Sequence, residues 1–123
     1  MRLHIICNLI TILIYNCFIT LFTHSAPGSL ATSRGAYISY EWYVGKYGVS
    51  IRLGGLDPDN SNALNRAIVM HSAAYAAPTM LEKFGKLGRS DGCLAMAPGD
   101  DFNAALTQLS GGRVIFADKL GIY

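Results

Sequence analysis

Residues 36–53 constrain the fold of this chain more than any other stretch of its sequence. Residues 36–44 are aromatic and β-branched, which favours a strand. Residues 49–53 alternate apolar and polar side chains, as a strand with one buried face does. The glycines at both ends of residues 45–48 indicate a turn between the two strands. The sequence therefore predicts a β-hairpin, and with it a β-rich domain.

Four further segments extend this pattern. Residues 66–71 are a short apolar run that ends on a histidine, which predicts a buried strand. Residues 77–84 and 100–109 have the apolar spacing of two short helices, and residues 113–117 return as a strand. We therefore predict a mainly β, sandwich-like domain with two short peripheral helices. The segments 25–35 and 54–65 lack either pattern, and we predict that both are loops.

The N-terminal segment is of a different kind. Residues 5–22 are apolar and uncharged, and they follow Arg2 and precede Ser25 and Ala26. This order is typical of a secretory signal peptide, and the run is also long enough for a transmembrane helix. Its β-branched residues favour a strand in water, so a segment foreign to the domain is a third interpretation. We predict a signal peptide or membrane anchor in residues 1–25 and a domain in residues 26–123.

Charge and length exclude several classes of protein. A chain of 123 residues has room for one domain, and its formal net charge of +2 gives no support for binding to nucleic acid or to an anionic membrane surface. Two of the three cysteines, Cys7 and Cys17, lie in the apolar run. Only Cys93 lies in the domain, so no pair suggests a structural disulfide.

Cys93 and His71 are the strongest candidates for chemistry. After the first 25 residues they are the only cysteine and the only histidine. A thiol needs a base to become nucleophilic near neutral pH, and imidazole titrates in the right range. Ser90, Asp91 and Gly92 form a tight polar turn before the cysteine, and the N–H groups of such a turn can converge on an oxyanion. The sequence therefore predicts a nucleophile, a base and an oxyanion hole.

A metal site is the weaker alternative. Zinc held by His71, Cys93 and Asp91 is conceivable, but the domain contains no further cysteine or histidine that would complete the ligand set. We therefore predict no metal ion and no other cofactor.

At these residues the sequence resembles the L,D-transpeptidase catalytic domain family, which has a YkuD-like fold. The resemblance is carried by a histidine motif and a cysteine motif, Arg66-Ala67-Ile68-Val69-Met70-His71 and Gly85-Lys86-Leu87-Gly88-Arg89-Ser90-Asp91-Gly92-Cys93-Leu94-Ala95. It runs from about Pro27 to the C-terminus, and the family domain places several more strands before that point. The resemblance therefore implies a sandwich that is incomplete at its N-terminal side.

The resemblance implies a cysteine acyl transferase of the cell envelope that acts on peptidoglycan stem peptides. Cys93 would attack the carbonyl of the diaminopimelate that precedes a terminal D-alanine, and His71 would move the protons. The backbone carbonyl of Ser72 would orient the imidazole, and the N–H groups of Gly92 and Cys93, with Asp91 as a further candidate, would hold the oxyanion. Ser90 would brace the turn.

Two alternatives to transpeptidation stay open. Water could replace the second stem peptide, which would give an L,D-carboxypeptidase. A different class of interpretation is an inactive remnant of the family, in which the motif survives in an incomplete sheet. An acidic side chain at Asp91 departs from many family members, and its charge would raise the pKa of a neighbouring thiol.

Three residues are candidates for substrate contacts. Arg89 stands beside the nucleophile turn and either binds a peptide carboxylate or faces solvent. Tyr43 and Tyr47 flank the hairpin turn and either line a substrate cleft or belong to the sheet surface.

Overall fold

The structure is a computed structural model that describes the backbone of residues 2–7, 10–15, 21–22, 32–88 and 90–117, and the side chains of residues 32–88 and 90–117. The strands in chain order are β1 (Arg2–Cys7), β2 (Ile10–Tyr15), β3 (Leu21–Phe22), β4 (Thr32–Ser33), β5 (Gly35–Gly45), β6 (Gly48–Gly55), β7 (Val69–Ser72), β8 (Leu94–Met96) and β9 (Val114–Ala117). The α-helices within these residues are α1 (Pro78–Phe84) and α2 (Asp100–Leu109). The predicted fold class, mainly β with two short helices, is confirmed.

The main element of the fold is a five-stranded sheet with the order β8-β7-β6-β5-β9. The predicted hairpin is present, since β5 and β6 pair antiparallel across a turn formed by Lys46 and Tyr47. Strands β9 and β7 add to the two sides of this hairpin, both antiparallel. Strand β8 pairs parallel with β7, and the connection between them carries α1. The sheet therefore brings the segment before β8 next to β7.

The two faces of this sheet have different surroundings. Ile51, Leu53 and Met70 point to one face, the core face, where they join Phe102 and Leu109 of α2 in the hydrophobic core. The opposite face, here called the cleft face, carries a row of directly paired residues across four strands: Tyr43, Ser50, His71 and Ala95. Helix α2 therefore stabilises the sheet from behind while the histidine stays on the other side.

The described parts of the apolar run are strands. Strands β1 and β2 form an antiparallel pair, β1 lies beside β9, and β3 pairs parallel with β4. The strand conformation agrees with the β-branched character of the run. In the part of the chain that the structure describes, none of the helices has the length and the apolar character needed to cross a membrane.

Several segments differ from the sequence-based prediction. Thr32 and Ser33 lie in the predicted loop 25–35 but form β4, because they pair with β3. Strand β7 begins at Val69 rather than at residue 66, since Ala67 adopts a left-handed conformation with φ of 53° that a strand cannot contain. Strand β8 was not predicted, because three residues are too few to show a period.

The predicted loop 54–65 contains a 3-10 helix, Pro58–Asn60, that fixes the start of β5. The backbone N–H of Ala36 donates to Asp57 Oδ2 at 2.6 Å, and Asn60 Nδ2 donates to the Ala36 carbonyl at 2.7 Å. Asn60 is fully buried. These two bonds satisfy the N–H and the C=O of Ala36, the second residue of β5.

Candidate active site

Cys93 and His71 come together because β7 and β8 are parallel neighbours. His71 is paired with Ala95, and Cys93 lies two residues before Ala95, directly ahead of β8. Alternate residues of an extended chain point to the same face. The register therefore directs the imidazole and the thiol to the cleft face.

Both side chains line one pocket of about 160 Å³, together with Tyr47, Tyr75, Ser90 and Asp91. The pocket is largely closed to solvent at its reactive groups, since Cys93 is 8% exposed and His71 is 2% exposed. Among the described residues, no group of three His, Cys, Asp or Glu side chains is arranged so that it could hold a metal ion. The pocket brings a thiol and an imidazole into one cavity.

The tautomer of His71 follows from its hydrogen bond. The Nδ1 atom lies 3.0 Å from the carbonyl oxygen of Ser72. A carbonyl oxygen can only accept, so this bond assigns the proton to Nδ1 and leaves the lone pair on Nε2. The ring stacks on Tyr47, with 4.6 Å between ring centroids and 19° between ring planes, and Tyr75 meets it edge-on at 6.4 Å. The imidazole is therefore fixed with an accepting nitrogen.

The thiol of Cys93 is held as a donor. Its Sγ donates to the backbone carbonyl of Ala67 at 3.8 Å. Burial is the largest cause that raises the pKa of the Cys93 thiol, and the charge of Asp91 acts in the same direction. The Val69 backbone N–H and the charge of Arg66 oppose this rise without cancelling it. At neutral pH the resting group is therefore a neutral thiol rather than a thiolate.

The turn before Cys93 is held by side chains on successive carbonyls. Ser90 Oγ donates to the Cys93 carbonyl at 2.6 Å, and Thr32 Oγ1 donates to the Gly92 carbonyl. Arg66 Nη2 makes a longer contact of 3.5 Å with the Asp91 carbonyl. Gly92 has φ of 106°, a conformation that favours glycine. The backbone of the turn is thus held by three side chains, of which Ser90 lines the pocket and Thr32 and Arg66 do not.

The structure brings five of the predicted site residues into the pocket: Tyr47, His71, Ser90, Asp91 and Cys93. Ser72 contributes its carbonyl to His71, and Gly92 is buried in the turn. Tyr43 does not line the pocket. It lies on the cleft face two strands from His71, with the Arg52 guanidinium 4.5 Å from its ring centroid. The predicted substrate contact of Arg89 falls on a residue outside the described part of the chain.

Three residues of the site were missed by the sequence-based prediction. Tyr75 lines the pocket from the connection after β7, and its aromatic character was the one available signal. The backbone carbonyl of Ala67 accepts a hydrogen bond from the Cys93 thiol. A contact made by a backbone group leaves no side-chain pattern in the sequence from which it could be predicted. Thr32 contacts the turn from 60 residues earlier in the chain, a distance at which local patterns carry no information.

Comparison with known proteins tests the resemblance. Residues 18–117 match the model of the family described as L,D-transpeptidase catalytic domain, and this match covers most of the 123 residues. It includes Thr32, His71 and Cys93, and it begins inside the apolar run 5–22. Comparisons with curated proteins and with solved structures gave no match. A match of this extent shows that the chain belongs to the L,D-transpeptidase catalytic domain family.

Proposed function

We propose that this chain is a cysteine acyl transferase that acts on peptidoglycan stem peptides, with Cys93 as nucleophile and His71 as general base. The observation that carries the proposal is the shared pocket, in which a thiol and an imidazole with a free Nε2 lone pair are held together. Membership of the L,D-transpeptidase family supports the class of substrate.

The first half of the reaction forms a thioester. The Cys93 sulfur attacks the carbonyl carbon of the diaminopimelate residue that precedes a terminal D-alanine, while His71 Nε2 accepts the thiol proton. The negative charge that develops on the carbonyl oxygen is held by the backbone N–H groups of Gly92 and Cys93, with Asp91 N–H as a further candidate. When the C–N bond breaks, His71 returns the proton to the amine of the departing D-alanine.

The second half consumes the thioester. The side-chain amine of a second stem peptide attacks the thioester carbonyl, His71 accepts a proton from this amine, and the sulfur leaves and is reprotonated. The products are one new amide bond and the free enzyme. Attack by water instead would give the shortened stem peptide, which is the L,D-carboxypeptidase alternative. Asp91 lines the pocket, and its negative charge would attract a cationic amine, which would favour transfer over hydrolysis.

The resting state defines the role of His71. The pKa of the Cys93 thiol is raised, and the thiol donates a hydrogen bond to the Ala67 carbonyl. The proposed reaction therefore starts from a thiol and does not require a preformed thiolate. The proton is transferred to His71 when the substrate arrives and the thiol turns from Ala67. Loss of this base should lower the rate of acyl transfer by about 10²–10⁴-fold.

Two parts of the proposal concern the surroundings of the site. Arg89 would bind a carboxylate of the stem peptide, Tyr47 would form one wall of the cleft, and Tyr43 would extend the binding surface along the cleft face. Export to the periplasm or cell envelope, with residues 5–22 cleaved or retained as an anchor, would give the enzyme access to peptidoglycan. The apolar run behind Arg2 supports this part of the proposal.

The experiment that tests the proposed function uses a stem tetrapeptide ending in diaminopimelate and D-alanine, with and without a second stem peptide as acceptor. We expect release of D-alanine and a cross-linked product, both detected by mass spectrometry and both absent in Cys93→Ala and strongly reduced in His71→Gln. Release of D-alanine without a cross-linked product would assign the carboxypeptidase activity. A folded chain that releases no D-alanine would overturn the proposal in favour of the inactive remnant.

A further inference from the structure

The oxyanion donors of the proposed reaction belong to peptide groups whose orientation is decided elsewhere in the fold. In a trans peptide the C=O and N–H bonds point in opposite directions, and all peptide bonds of the described residues are trans. The N–H of Cys93 and the carbonyl of Gly92 are the two ends of one such group. Whatever holds the Gly92 carbonyl therefore also directs the Cys93 N–H.

The residue that holds this carbonyl is Thr32. Its Oγ1 donates to the Gly92 oxygen, and Thr32 itself is only 2% exposed. Thr32 does not line the pocket, whereas Cys93 does. The hydroxyl thus holds the carbonyl end of this peptide group, and the opposite end, the Cys93 N–H, is directed away from Thr32.

A neighbouring hydrogen bond restrains the same turn. Ser90 Oγ holds the carbonyl of Cys93, so the peptide groups on both sides of the cysteine are fixed at their oxygens. Gly92 itself has φ of 106°. Because glycine is the most flexible residue, the turn would be free to change its conformation without these hydrogen bonds. Thr32 lies in β4, which pairs with β3. Just after it in the chain, Ala36 donates to Asp57 and accepts from Asn60.

We propose that Thr32 is a positioning residue for acyl transfer, which orients the Gly92–Cys93 peptide group so that the Cys93 N–H faces the oxyanion. The inference rests on the proposed function, because it needs a reaction that develops an oxyanion. It assigns no contact between Thr32 and the substrate. It also connects the segment that contains β4 to the chemistry of a cysteine 61 positions later in the chain.

The test compares two reactions of the same sulfur in the full chain. Iodoacetamide alkylates Cys93 by displacement of iodide at a saturated carbon, so no oxyanion forms. With p-nitrophenyl acetate the sulfur attacks an ester carbonyl, an oxyanion forms and p-nitrophenolate leaves, which gives the acetyl thioester and a colour change. Removal of a positioned oxyanion donor typically lowers a rate by about 10²–10³-fold, and misdirection of one donor should cost less.

For Thr32→Val, which keeps the size of the side chain and removes its donor, we expect acylation to fall by about 10- to 100-fold. Alkylation of the same variant should keep the wild-type rate and the wild-type pH profile. Thr32→Ser, which restores a hydroxyl, should recover most of the acylation rate. The matched control is Thr107→Val, since the Thr107 hydroxyl also donates to a backbone carbonyl, that of Asn103 in α2, and should change neither reaction.

The possible failures are distinguishable. Equal acylation of wild type and Thr32→Val would overturn the role of Thr32 while leaving the proposed function intact. A parallel loss of alkylation and acylation in Thr32→Val would also overturn it, because a merely structural residue has that effect. A wild-type chain that is alkylated at Cys93 but not acylated would overturn the proposed function and, with it, the inference about Thr32.

Discussion

The surroundings of Cys93 have opposing effects on the pKa of its thiol. Burial and the Asp91 carboxylate favour the neutral form and raise its pKa, whereas the Val69 N–H and the charge of Arg66 favour the thiolate. The first pair is stronger, so the pKa of the Cys93 thiol is raised on balance. In the proposed reaction, His71 would therefore supply the activating step.

The influence of Asp91 on this balance gives a direct prediction. In Asp91→Asn the repulsion between carboxylate and thiolate is removed, so the pH midpoint of Cys93 alkylation should fall, while it stays above that of the unfolded chain because burial remains. The measurement is the iodoacetamide rate against pH by intact mass. Asp101→Asn, an exposed acidic residue of α2 behind the sheet, is the matched control and should leave the midpoint unchanged. An unchanged midpoint in Asp91→Asn would contradict contact between the two groups.

The same pKa shift predicts how stability depends on pH. A group whose pKa is higher in the folded than in the unfolded chain contributes its full stabilisation while it is protonated in both states. The stabilisation is lost as pH rises from the unfolded value of about 8.5 through the raised folded value. The free energy of unfolding should therefore fall over this alkaline range, and the fall should be smaller in Cys93→Ala, in which, of the described residues, only the buried Tyr37, whose pKa is raised to about 12, contributes in the same direction. A similar slope in both proteins would assign the pH dependence to other groups.

The two helices differ in how many of their side chains are buried. Helix α2 buries Phe102, Ala105 and Leu109 on the core face, whereas α1 has no buried residue and its Leu81 and Phe84 are 44% and 64% exposed. Helix α1 begins with Pro78 and ends at Gly85, whose φ of 68° suits a left-handed cap. Its terminal residues, rather than its packing, therefore account for where this helix begins and ends.

The two leucines of α2 differ in burial, and this difference gives a prediction for stability. Leu109 is fully buried, and Leu106 packs against the edge of the core. Leu109→Ala should lower the free energy of unfolding by about 2–5 kcal/mol, because the truncation removes buried methyl groups and leaves a cavity. Leu106→Ala, the matched control with the same loss of atoms and the same helix propensity change, should cost less. Urea denaturation measures both, and equal costs would contradict the assigned position of the core.

At the scale of the whole molecule, the fold brings the site together from four parts of the sequence. The parallel pair β7-β8 brings His71 close to the cysteine turn, and the β5-β6 hairpin stacks Tyr47 on the imidazole. Strand β4 places Thr32 in contact with the same turn. The N-terminal strands also take part, since β3 pairs with β4 and β1 lies beside β9. The segment that would direct export is therefore also adjacent to the domain.

Export predicts a specific result for this segment. Residues 1–26 fused to alkaline phosphatase, an enzyme whose disulfides form only outside the cytoplasm, should give an active fusion. Leu13→Arg should abolish its activity, because an arginine in the middle of an apolar export segment costs about 2.5–3.5 kcal/mol. Ile12→Val, which keeps the run apolar, is the matched control and should stay active. An inactive wild-type fusion would contradict export through residues 5–22.

Much of the fold was predictable because it depends on local patterns. Helix α2 has the bounds that periodicity indicated, α1 differs by one residue, and the strands of the β5-β6 hairpin extend one or two residues beyond the predicted bounds. The exceptions have physical causes: β4 and β8 are too short to carry a period and exist through pairing with distant strands. The interruption at Ala67 is a backbone conformation that alanine rarely adopts, so composition gives no sign of it.

The sequence by itself determined the family, the mainly β class and the pair Cys93 and His71, because side-chain chemistry and short-range spacing are properties of the chain alone. Only the tertiary structure decided the hydrogen bond of the thiol to Ala67, the stacking of Tyr47 on His71 and the bond from Thr32 to Gly92. The reason is that burial, ring contacts and backbone orientation depend on which strands become neighbours, and strand pairing is a long-range property of the folded chain.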